Sequence, residues 1–324
     1  MTGTDLIPAT DAGIARCAAL LRTGQLVAFP TETVYGLGAD ATNEEAVRAI
    51  YAAKGRPDFN PLIVHVPDAW AAEQLIDLPR AGLALAKAAW PGPLTMVAPM
   101  REGAGIAPSV TAGLATLAVR VPGHRLAKEL LMAAQRPLAA PSANPSGRIS
   151  PTMPAHVLDG LNGRIAAVLN GGPCPVGLES TIVGFDRGAP VLLRPGGLPV
   201  EDIVKLMGGP ILDRDGTEIT APGQLASHYA PVATLRLNAD APDEGELWLG
   251  FGDGPAGANL SRAGDLKEAA ASLFQLLRDL DEQAEPDQRI AVARIPKIGL
   301  GLAINDRLMR AAAPRGKSGQ EGQG

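Results

Sequence analysis

The chain has 324 residues, of which 46% are hydrophobic and 19% charged, and its formal net charge is −5. This length is enough for two ordinary domains, and this composition is typical of a soluble globular protein and excludes a disordered one. The negative net charge argues against broad, sequence-independent binding of nucleic acid, although it allows a local basic cleft.

The sequence also gives indications about the cellular compartment of the protein. Proline, glycine or charged residues interrupt every apolar stretch well before the roughly 20 residues that a membrane span needs. Asp5 and Asp11 lie where a signal peptide would carry basic residues and an apolar core. The two cysteines, Cys17 and Cys174, lack CxxC spacing. We therefore expect a cytoplasmic protein with reduced thiols and no membrane association, with a reactive Cys174 as the alternative.

The first predicted elements are two helices and two strands. Residues 11–21 read as a helix with Asp11 as its N-cap, and residues 26–29 read as a strand that Pro30 stops. Residues 44–53 predict a second helix, capped by Asn43 and followed by a basic turn and a strand at 62–66. Between them, we expect the glycines at 36 and 38 to adopt backbone conformations that are closed to other residues.

From residue 67 to residue 207 the predicted elements alternate irregularly. Helices are predicted at 70–76, 81–89, 126–134 and 200–207, and strands at 96–98, 117–121, 137–140, 165–169, 182–183 and 191–193. This alternation is too irregular for a doubly wound fold. It favours an α/β domain built on a mixed, strongly twisted open sheet with helices.

Three further segments follow this first domain, which we place at 1–207. Residues 208–232 have little periodicity and read as a linker, which is long for a segment without a function. Residues 233–313 predict a smaller α/β domain with strands at 234–237, 246–251 and 290–294 and helices at 265–280 and 305–313. The tail, 314–324, is polar and glycine-rich, and we expect it to be disordered.

Several familiar kinds of site are missing from the sequence. There is no GxxxxGK[ST] loop, no GxSxG turn and no pair of histidines with metal-ligand spacing. Cations and hydroxyls remain at the ends of the predicted elements, and nucleotide activation works mainly by positioning and by neutralising phosphate oxygens. The candidates are Lys54, Arg56, Arg120, Arg194, Ser142, Asn144, Ser150, Ser180, Thr33 and His65.

Some of these candidates also have simpler interpretations. Arg120 could be a surface residue of a strand, and His65, between two valines, could be a hydrogen-bonded core histidine. Arg194 could be a solvated charge in a turn. Lys54 and Arg56 are harder to explain in this way, because a helix end and Pro57 fix their direction.

Eight motifs resemble one known family. PTETVYGLG, KGRP, NPLIVHV, WPGPLT, VRVPGH, PSANPSG, GLESTIV and RPGG follow each other in the order of the threonylcarbamoyl-AMP synthase family, the YrdC/Sua5 group that begins the synthesis of threonylcarbamoyladenosine in tRNA. A histidine–tyrosine linker and a C-terminal segment resemble the longer Sua5 type, so the resemblance covers nearly the whole chain. It implies a YrdC-like twisted sheet and a smaller, Rossmann-like C-terminal domain.

The resemblance also implies a reaction. L-Threonine, bicarbonate or CO2, and ATP would give threonylcarbamoyl-AMP, pyrophosphate and water, with Mg2+ bound through the phosphates and no metal site in the protein. The product would pass to the tRNA threonylcarbamoyl-transfer machinery, and we do not expect strong tRNA binding. By match of motif, threonine would bind Thr33, His65, Arg120, Ala140 and Ser180; ATP would bind Arg56, Asn60, Thr116, Ser142, Ser150 and Arg194; Lys54, Arg56 and Asn144 would be catalytic.

The linker carries one more implied role. In the family that it resembles, the segment around Ser227-His228-Tyr229-Ala230-Pro231 folds over the nucleotide pocket. We expect His228 and Tyr229 to reach ATP or its product, with an unstructured tether as the alternative. Such a lid would keep water away from a labile mixed anhydride.

Two other functions remain open at this point. The basic strand ends could form a concave patch that binds an RNA helix, although a surface that tracks phosphates needs positive charge more than the hydroxyls of Thr33 and Ser180. The chain could also be a related carbamoyl-adenylate enzyme with another substrate. Such a domain is normally embedded in a larger, cysteine-rich maturation protein, which this chain does not resemble.

Overall fold

A computed structural model describes residues 3–213 and 228–314 of the protein. Its helices are α1 (Asp11–Arg22), α2 (Glu44–Lys54), α3 (Ala69–Glu73), α4 (Arg80–Ala89), α5 (Pro108–Thr111), α6 (Arg125–Ala134), α7 (Pro154–Leu161), α8 (Val200–Met207), α9 (Leu266–Gln283) and α10 (Leu300–Ala312). Its strands are β1 (Asp5–Pro8), β2 (Val27–Phe29), β3 (Gly36–Asp40), β4 (Ile63–His65), β5 (Leu94–Pro99), β6 (Thr116–Arg120), β7 (Leu138–Ala139), β8 (Ala167–Asn170), β9 (Thr181–Asp186), β10 (Ala189–Arg194), β11 (Leu212–Asp213), β12 (Thr234–Ala239), β13 (Leu247–Gly250), β14 (Ala258–Asn259) and β15 (Arg289–Ala293).

The larger sheet has eleven strands in the order β1-β8-β2-β3-β7-β4-β6-β5-β9-β10-β11. Parallel pairs, such as β4 with β6 and β5 with β9, alternate with antiparallel pairs, such as β2 with β3 and β5 with β6. The sheet is therefore mixed and open, which confirms the predicted fold class.

Both faces of this sheet are covered. Because successive side chains of a strand point to opposite faces, Val27 and Phe29 of β2 pack with buried residues of α1 and α6, whereas Ala28 belongs to a different core cluster. That second cluster contains Val47 and Ile50 of α2 together with core residues of β4 and β6. Each helix thus buries one apolar face against the sheet.

A second, smaller sheet follows along the chain. Its four strands pair in parallel in the order β12-β15-β13-β14, and α9 and α10 supply much of its core. The predicted smaller α/β unit is therefore confirmed. Its core is not self-contained, since Val34, Ile149 and Leu178 from the region of the larger sheet belong to the same buried cluster.

Two of the predicted N-caps have different outcomes. Asn43 accepts hydrogen bonds from the backbone N–H groups of Glu45 and Ala46, as predicted. The prediction for α1 was wrong by one residue, because the Thr10 hydroxyl caps this helix and Asp11 is its first residue. Asp11 still lies in the first turn, where a negative charge favours the helix dipole.

The expectation for the glycines at 36 and 38 was wrong. Neither has a positive φ, and both belong to strand β3, which separates the polar turn from α2. A Cβ on Gly38 would lie 2.9 Å from Cε1 of Phe29. Gly38 therefore provides space for the Phe29 ring rather than an unusual backbone conformation.

Several element boundaries also differ from the predictions. The last helix starts at Leu300, five residues before the predicted start, and β1, α5 and α7 were not predicted. Within the proposed linker, Leu212–Asp213 forms β11 beside β10, and residues 214–227 lie outside the described residues. Residues 315–324 of the proposed tail also lie outside them. No helix in the described ranges is long and apolar enough to cross a membrane.

Candidate active site

The ends of several strands meet around one pocket. His65 and Arg120 are register partners at the carboxyl ends of the parallel strands β4 and β6. Thr95 of β5 pairs with Arg120 on one side and with Ile182 of β9 on the other, and Arg194 of β10 pairs with Ile182. The sheet thus brings Arg120 and Arg194, which are far apart in sequence, to the same end of a run of neighbouring strands.

Thr33 and Arg120 form one wall of the pocket. Nη1 of Arg120 donates to Oγ1 of Thr33 at 2.8 Å, and Oγ1 of Thr31 donates to the Val34 carbonyl at 2.6 Å. The two threonine hydroxyls lie 2.8 Å apart, and either can be the donor. The Thr33 hydroxyl therefore keeps one hydrogen-bonding position for a ligand, which is a lone pair if Thr33 donates to Thr31 and its own proton if it accepts.

The Arg120 guanidinium is buried and only partly used. Nη2 lies 2.7 Å from Oε1 of Glu32, and Nε donates to the Gly92 carbonyl at 3.3 Å. Burial raises the pKa of Glu32, but Arg120 together with backbone N–H groups brings it below its ordinary value, so this carboxyl stays ionised. Hydrogen bonds within the described residues use only Nε and one N–H of Nη1, whereas Nη2 is held by its ion pair with Glu32, so N–H groups of Arg120 remain for an anion.

Ser180 and Arg194 also line the pocket. The Ser180 hydroxyl lies 2.7 Å from Oγ1 of Thr95, and its carbonyl accepts a hydrogen bond from Nη2 of Arg194 at 2.8 Å. Burial lowers the pKa of Arg194, yet its guanidinium remains charged at neutral pH. Arg194 is thus a fixed cation of the pocket rather than a solvated residue of a turn.

His65 is both a core residue of a strand and part of the pocket lining. Its ring meets the Phe29 ring edge-on at 6.2 Å, and its Nδ1 has no hydrogen-bond partner among the described residues. Burial and, to a smaller extent, Arg120 lower the pKa of His65 to about 3. The imidazole is therefore neutral at physiological pH.

Arg56 enters the pocket from the end of α2. Gly55, at φ 59°, is the left-handed C-cap of this helix and turns the chain. Nε of Arg56 donates to the Asn60 carbonyl at 3.0 Å and Nη2 to the Pro61 carbonyl at 2.7 Å. Burial lowers the pKa of Arg56 to about 10, so it is charged at neutral pH.

Lys54 lies directly behind the pocket wall. It is 3% exposed, and Nζ donates to the carbonyl oxygens of Ser142 and Asn144. Burial, reinforced by the charge of Arg56, holds the pKa of Lys54 well below its ordinary value. Lys54 therefore holds in place the loop that carries Ser142.

Glu179 is a buried carboxylate that also lines the pocket. Oγ of Ser150 donates to its Oε1, and Nε of Arg307, from α10 in the C-terminal unit, donates to its Oε2 at 2.7 Å. Burial raises the pKa of Glu179, but the charges of Arg307 and Arg194 lower it below its ordinary value. The carboxylate is ionised and paired.

His228 and Tyr229 close one side of the pocket. Their rings lie 4.0 Å apart, and Tyr229 stacks on Phe274 of α9 at 5.8 Å. The Ala230 N–H donates to the Gly147 carbonyl at 2.8 Å, which joins this segment to the loop after Asn144. Burial lowers the pKa of His228 to about 3.

The structure brings most of the predicted site residues together. Ten of them line the pocket: Thr33, His65, Arg120, Ala140, Ser180, Arg56, Ser142, Arg194, His228 and Tyr229. Lys54, Asn144 and Ser150 lie behind the lining through the contacts described above, with the Asn144 amide donating to the carbonyls of Pro145 and Arg148. Asn60 is 1% exposed, and neither atom of its side-chain amide has a partner among the described residues.

Thr116 is a predicted residue that does not line the pocket. It starts β6, four residues before Arg120, which corresponds to about 13 Å along the strand. Among the polar residues that the prediction did not include are Thr31, Glu179 and Arg307. The Glu-Ser-Thr motif offered a signal for Glu179, whereas nothing near Arg307 in the sequence points to a site 128 residues away.

Cys174 does not have the features of a reactive thiol. Both cysteines are free and buried. Burial raises the pKa of the Cys174 thiol to about 12, and that of Cys17 to about 11. The thiolate, which is the nucleophilic form, is therefore scarce at neutral pH in both residues.

Comparison with known proteins identifies relatives along the whole chain. The Sua5–YciO–YrdC family, described as "Telomere recombination", matches residues 19–196, and the family "Threonylcarbamoyl-AMP synthase, C-terminal domain" matches residues 198–313. The threonylcarbamoyl-AMP synthase of Bacillus subtilis is 42% identical over 96% of each chain. That of Pyrococcus abyssi is 41% identical over 92% of this chain and 93% of the relative. The chain belongs to the threonylcarbamoyl-AMP synthase family.

Solved structures agree with this membership of the threonylcarbamoyl-AMP synthase family. The crystal structure of P. abyssi Sua5 complexed with L-threonine has a TM-score of 0.87 at 39% identity, covering 95% of this chain and 98% of the other. A variant of the same protein, with an adjacent histidine and tyrosine both replaced by alanine, has a TM-score of 0.86 at 37% identity over 95% of this chain and 96% of the other. E. coli YciO, at 21% identity and a TM-score of 0.55, shares the fold over 60% of this chain and 96% of the other.

Proposed function

We propose that this protein is an L-threonylcarbamoyladenylate synthase, a nucleotidyltransferase that converts L-threonine, bicarbonate and ATP into threonylcarbamoyl-AMP, pyrophosphate and water, or, with CO2 in place of bicarbonate, into threonylcarbamoyl-AMP and pyrophosphate alone. One observation carries this proposal: a single pocket is lined by Thr33, Arg120 and Ser180 and also by the cations Arg56 and Arg194. A small zwitterion and a polyanion can therefore bind side by side. The relatives named as threonylcarbamoyl-AMP synthases support the same conclusion.

Threonine occupies the side of Arg120. The N–H groups of Arg120 that Thr33 and Gly92 do not use can pair with the carboxylate of threonine, since a guanidinium binds a carboxylate in a planar geometry. The remaining hydrogen-bonding position of the Thr33 hydroxyl serves the amine or hydroxyl of threonine. Neutral His65, Ala140 and Ser180 complete this subsite. The complex of P. abyssi Sua5 with L-threonine supports this choice of substrate.

ATP occupies the side of Arg56 and Arg194. Arginine binds phosphate oxygens in pairs, and both guanidinium groups are held by main-chain carbonyls. Ser142 faces the same space, while Ser150 and Lys54 support it from behind. Asn60 offers a buried amide without a described partner, and Asn144 fixes the loop after Ser142. Thr116 can contact only a part of ATP that extends well beyond the pocket.

Magnesium enters with ATP as part of the substrate. Glu179, the carboxylate that lines the pocket, is already bound by Ser150 and Arg307. No group of three or more histidine, cysteine, aspartate or glutamate side chains that could hold a metal occurs among the described residues. Phosphate oxygens and water therefore coordinate the ion, which is the usual manner of binding for Mg2+ with nucleotides.

The reaction takes two steps in this proposal. Where bicarbonate is the source, its dehydration to CO2 releases the water beforehand. The uncharged amine of threonine attacks CO2 and loses a proton to solvent, which gives a carbamate. A carbamate oxygen then attacks the α-phosphate and displaces pyrophosphate. Arg56, Arg194 and Lys54 stabilise the negative charge that builds up on the phosphates, which is the main requirement of phosphoryl and nucleotidyl transfer.

His228 and Tyr229 form the inner surface of a lid. They belong to a segment that packs against the loop at Gly147 and against α9, and burial keeps His228 neutral. The chain has a single His-Tyr pair, and this is the pair that lines the pocket. Excluding water at this place protects the mixed anhydride until transfer to the tRNA-modifying machinery. The remainder of the proposed linker, 214–227, lies outside the described residues.

RNA binding is not favoured as the main function. Arg120 and Arg194 are each 4% exposed and lie inside the pocket, where the backbone of a nucleic acid helix has no access. A surface that tracks phosphates depends on exposed lysines and arginines. We accordingly expect tRNA itself to bind weakly.

The decisive experiment measures pyrophosphate release by the full chain. It should require threonine, bicarbonate and ATP together, and each omission should reduce it to background. Release that does not depend on threonine would contradict the proposal. Release with bicarbonate and another amino acid in preference to threonine would favour the related carbamoyl-adenylate reaction instead.

A further inference from the structure

The C-terminal unit places one charged side chain beneath the pocket. Arg307, on α10, is completely buried, although it carries a guanidinium that ordinarily stays in water. Burial of a charge is costly unless it is paired and hydrogen-bonded. The partners of Arg307 therefore indicate its role.

Arg307 contacts three segments that border the pocket. Nε donates to Oε2 of Glu179 at 2.7 Å, just before β9, and Nη1 donates to the Pro195 carbonyl at 3.0 Å, just after β10. Its guanidinium carbon lies 5.1 Å from the centre of the Tyr229 ring. On its own helix, Nη1 also donates to Oδ2 of Asp306 at 2.6 Å. One side chain thus joins the start of β9, the end of β10 and the His-Tyr segment.

Glu179 connects Arg307 to residues of the substrate pocket. Its second oxygen, Oε1, accepts a hydrogen bond from Ser150, and its neighbour in sequence is Ser180. Pro195 follows Arg194, and Tyr229 follows His228. Outside its own helix, each partner of Arg307 is therefore a pocket residue or the direct neighbour of one.

We propose that Arg307 is a positioning residue of the active site: from the C-terminal unit it neutralises Glu179 and holds Ser150, Arg194 and Tyr229 in the arrangement that binds ATP. This inference rests on the proposed function for the identity of the nucleotide. An unpaired Glu179 would repel the triphosphate, because at this depth two negative charges are poorly screened. The Coulomb attraction of Arg307 lowers the pKa of Glu179, which supports the pairing.

The first variants test charge and geometry separately. Arg307→Met keeps the aliphatic stem and removes the charge, whereas Arg307→Lys keeps the charge but loses the planar fork of donors. We expect Arg307→Met to raise the Kd for ATP about tenfold or more, measured by calorimetry on the full chain. The Kd of Arg307→Lys for ATP should lie between that of Arg307→Met and that of the wild type. Arg294→Met is the matched control, because Arg294 pairs with Asp240 on the exposed surface of the same unit.

A double variant distinguishes positioning from general destabilisation. Glu179→Gln keeps an acceptor for Ser150 but carries no charge, so it no longer needs a cation beside it. If Arg307 acts through Glu179, the double variant with Arg307→Met should bind ATP at least about threefold more tightly than Arg307→Met alone. If Arg307→Met does not fold, the same comparison is made with Arg307→Gln, which also removes the charge.

Three results would overturn the inference. The first is an unchanged Kd for ATP in Arg307→Met, and the second is a lower melting temperature as the only effect of this variant. The third is a double variant whose loss of ATP-binding free energy equals the sum of the losses in the two single variants. The proposed function is tested separately, by threonine- and bicarbonate-dependent pyrophosphate release of the wild type. If the wild type binds ATP but fails that assay, the proposed function is wrong, and the comparison of ATP affinities still tests Arg307.

Discussion

Main-chain oxygens hold several of the cations around the pocket. Lys54 donates to the carbonyls of Ser142 and Asn144, and Arg56 donates to those of Asn60 and Pro61. A carbonyl orients a cation without cancelling its full charge, in contrast to a carboxylate. The positive charge of Arg56, which lines the pocket, therefore remains available for phosphate oxygens.

Arg56 should matter for ATP and not for the stability of α2. Arg56→Ala removes a charge-assisted contact, which we expect to cost about 1.5–3 kcal/mol of ATP binding. Arg48→Ala is the control, because Arg48 is an exposed residue of the same helix that pairs with Glu44. Calorimetric titration with ATP measures both. Equal affinities for the two variants would show that Arg56 does not contact ATP.

The buried neutral histidines should make the protein less stable in mild acid. The folded-state pKa of His65 is about 3, and the model-peptide value is 6.5. As the pH falls below 6.5, the unfolded chain takes up a proton that the folded protein does not, so the free energy of unfolding decreases until about pH 3. His228 has the same shift and adds to this decrease.

Denaturant titrations between pH 6.5 and 5 test this prediction above the range where carboxylates titrate. Each such histidine should contribute up to about 1.4 kcal/mol of lost stability per pH unit. His65→Gln should reduce the slope by this amount. A wild-type slope that does not change in His65→Gln would mean that His65 is not held neutral in the folded protein.

At the scale of single residues, the sequence predicted the cations of the site better than their partners. The simpler interpretation of Arg120 as a surface residue was wrong, because β6 directs it into the pocket. His65 is buried in a strand and also lines the pocket, but its Nδ1 has no partner among the described residues, so it is not a fully hydrogen-bonded core histidine, and its contact with threonine stays a prediction. Arg307 could not be predicted, because its partner Glu179 is 128 residues away and only the folded chain brings them together.

At the scale of elements, helices were predicted more closely than strands. Capping side chains and a 3.6-residue period identify α2 and α9 from local sequence. Strand β3 was missed because its glycines carry no side chain with a periodic pattern, and its place depends on Phe29. Strands β1 and β11 are short edge strands whose pairing is set by distant residues.

The His-Tyr segment gives a prediction at the scale of an element. His228→Ala and Tyr229→Ala should both weaken ATP binding or speed the hydrolysis of the adenylate, because each removes a ring from the cover of the pocket. Tyr229→Ala should also lower the free energy of unfolding by about 3–5 kcal/mol, since it empties a space beside Phe274. Adenylate lifetime and denaturant unfolding are the two measurements.

Tyr229→Phe separates the two effects of this segment. It keeps the ring that stacks on Phe274 and removes only the hydroxyl. We expect it to retain the stability of the wild type. If His228→Ala and Tyr229→Ala both kept normal ATP affinity and adenylate lifetime, the segment would be a tether and not a lid.

At the scale of the whole molecule, the two units are parts of one structure. Val34, Ile149 and Leu178 are buried against the core of the smaller unit. A chain that ends after Met207 would expose these three side chains and leave Glu179 without Arg307. We expect this truncation to melt at a lower temperature and to bind ATP more weakly than the full chain. Thermal unfolding and calorimetry of the two chains provide the test, and equal values in both would contradict it.

The position of β1 has a consequence for the synthesis of the chain on the ribosome. Within the described residues, β1 pairs with β8 at Ala167–Asn170 and has no other strand partner. About 160 residues must therefore be translated after β1 before its partner exists, which takes about 8–30 s at about 5–20 residues per second. During this time β1 has no strand to pair with. This edge of the sheet is therefore completed only when more than half of the chain has been synthesised, although β1 is translated early.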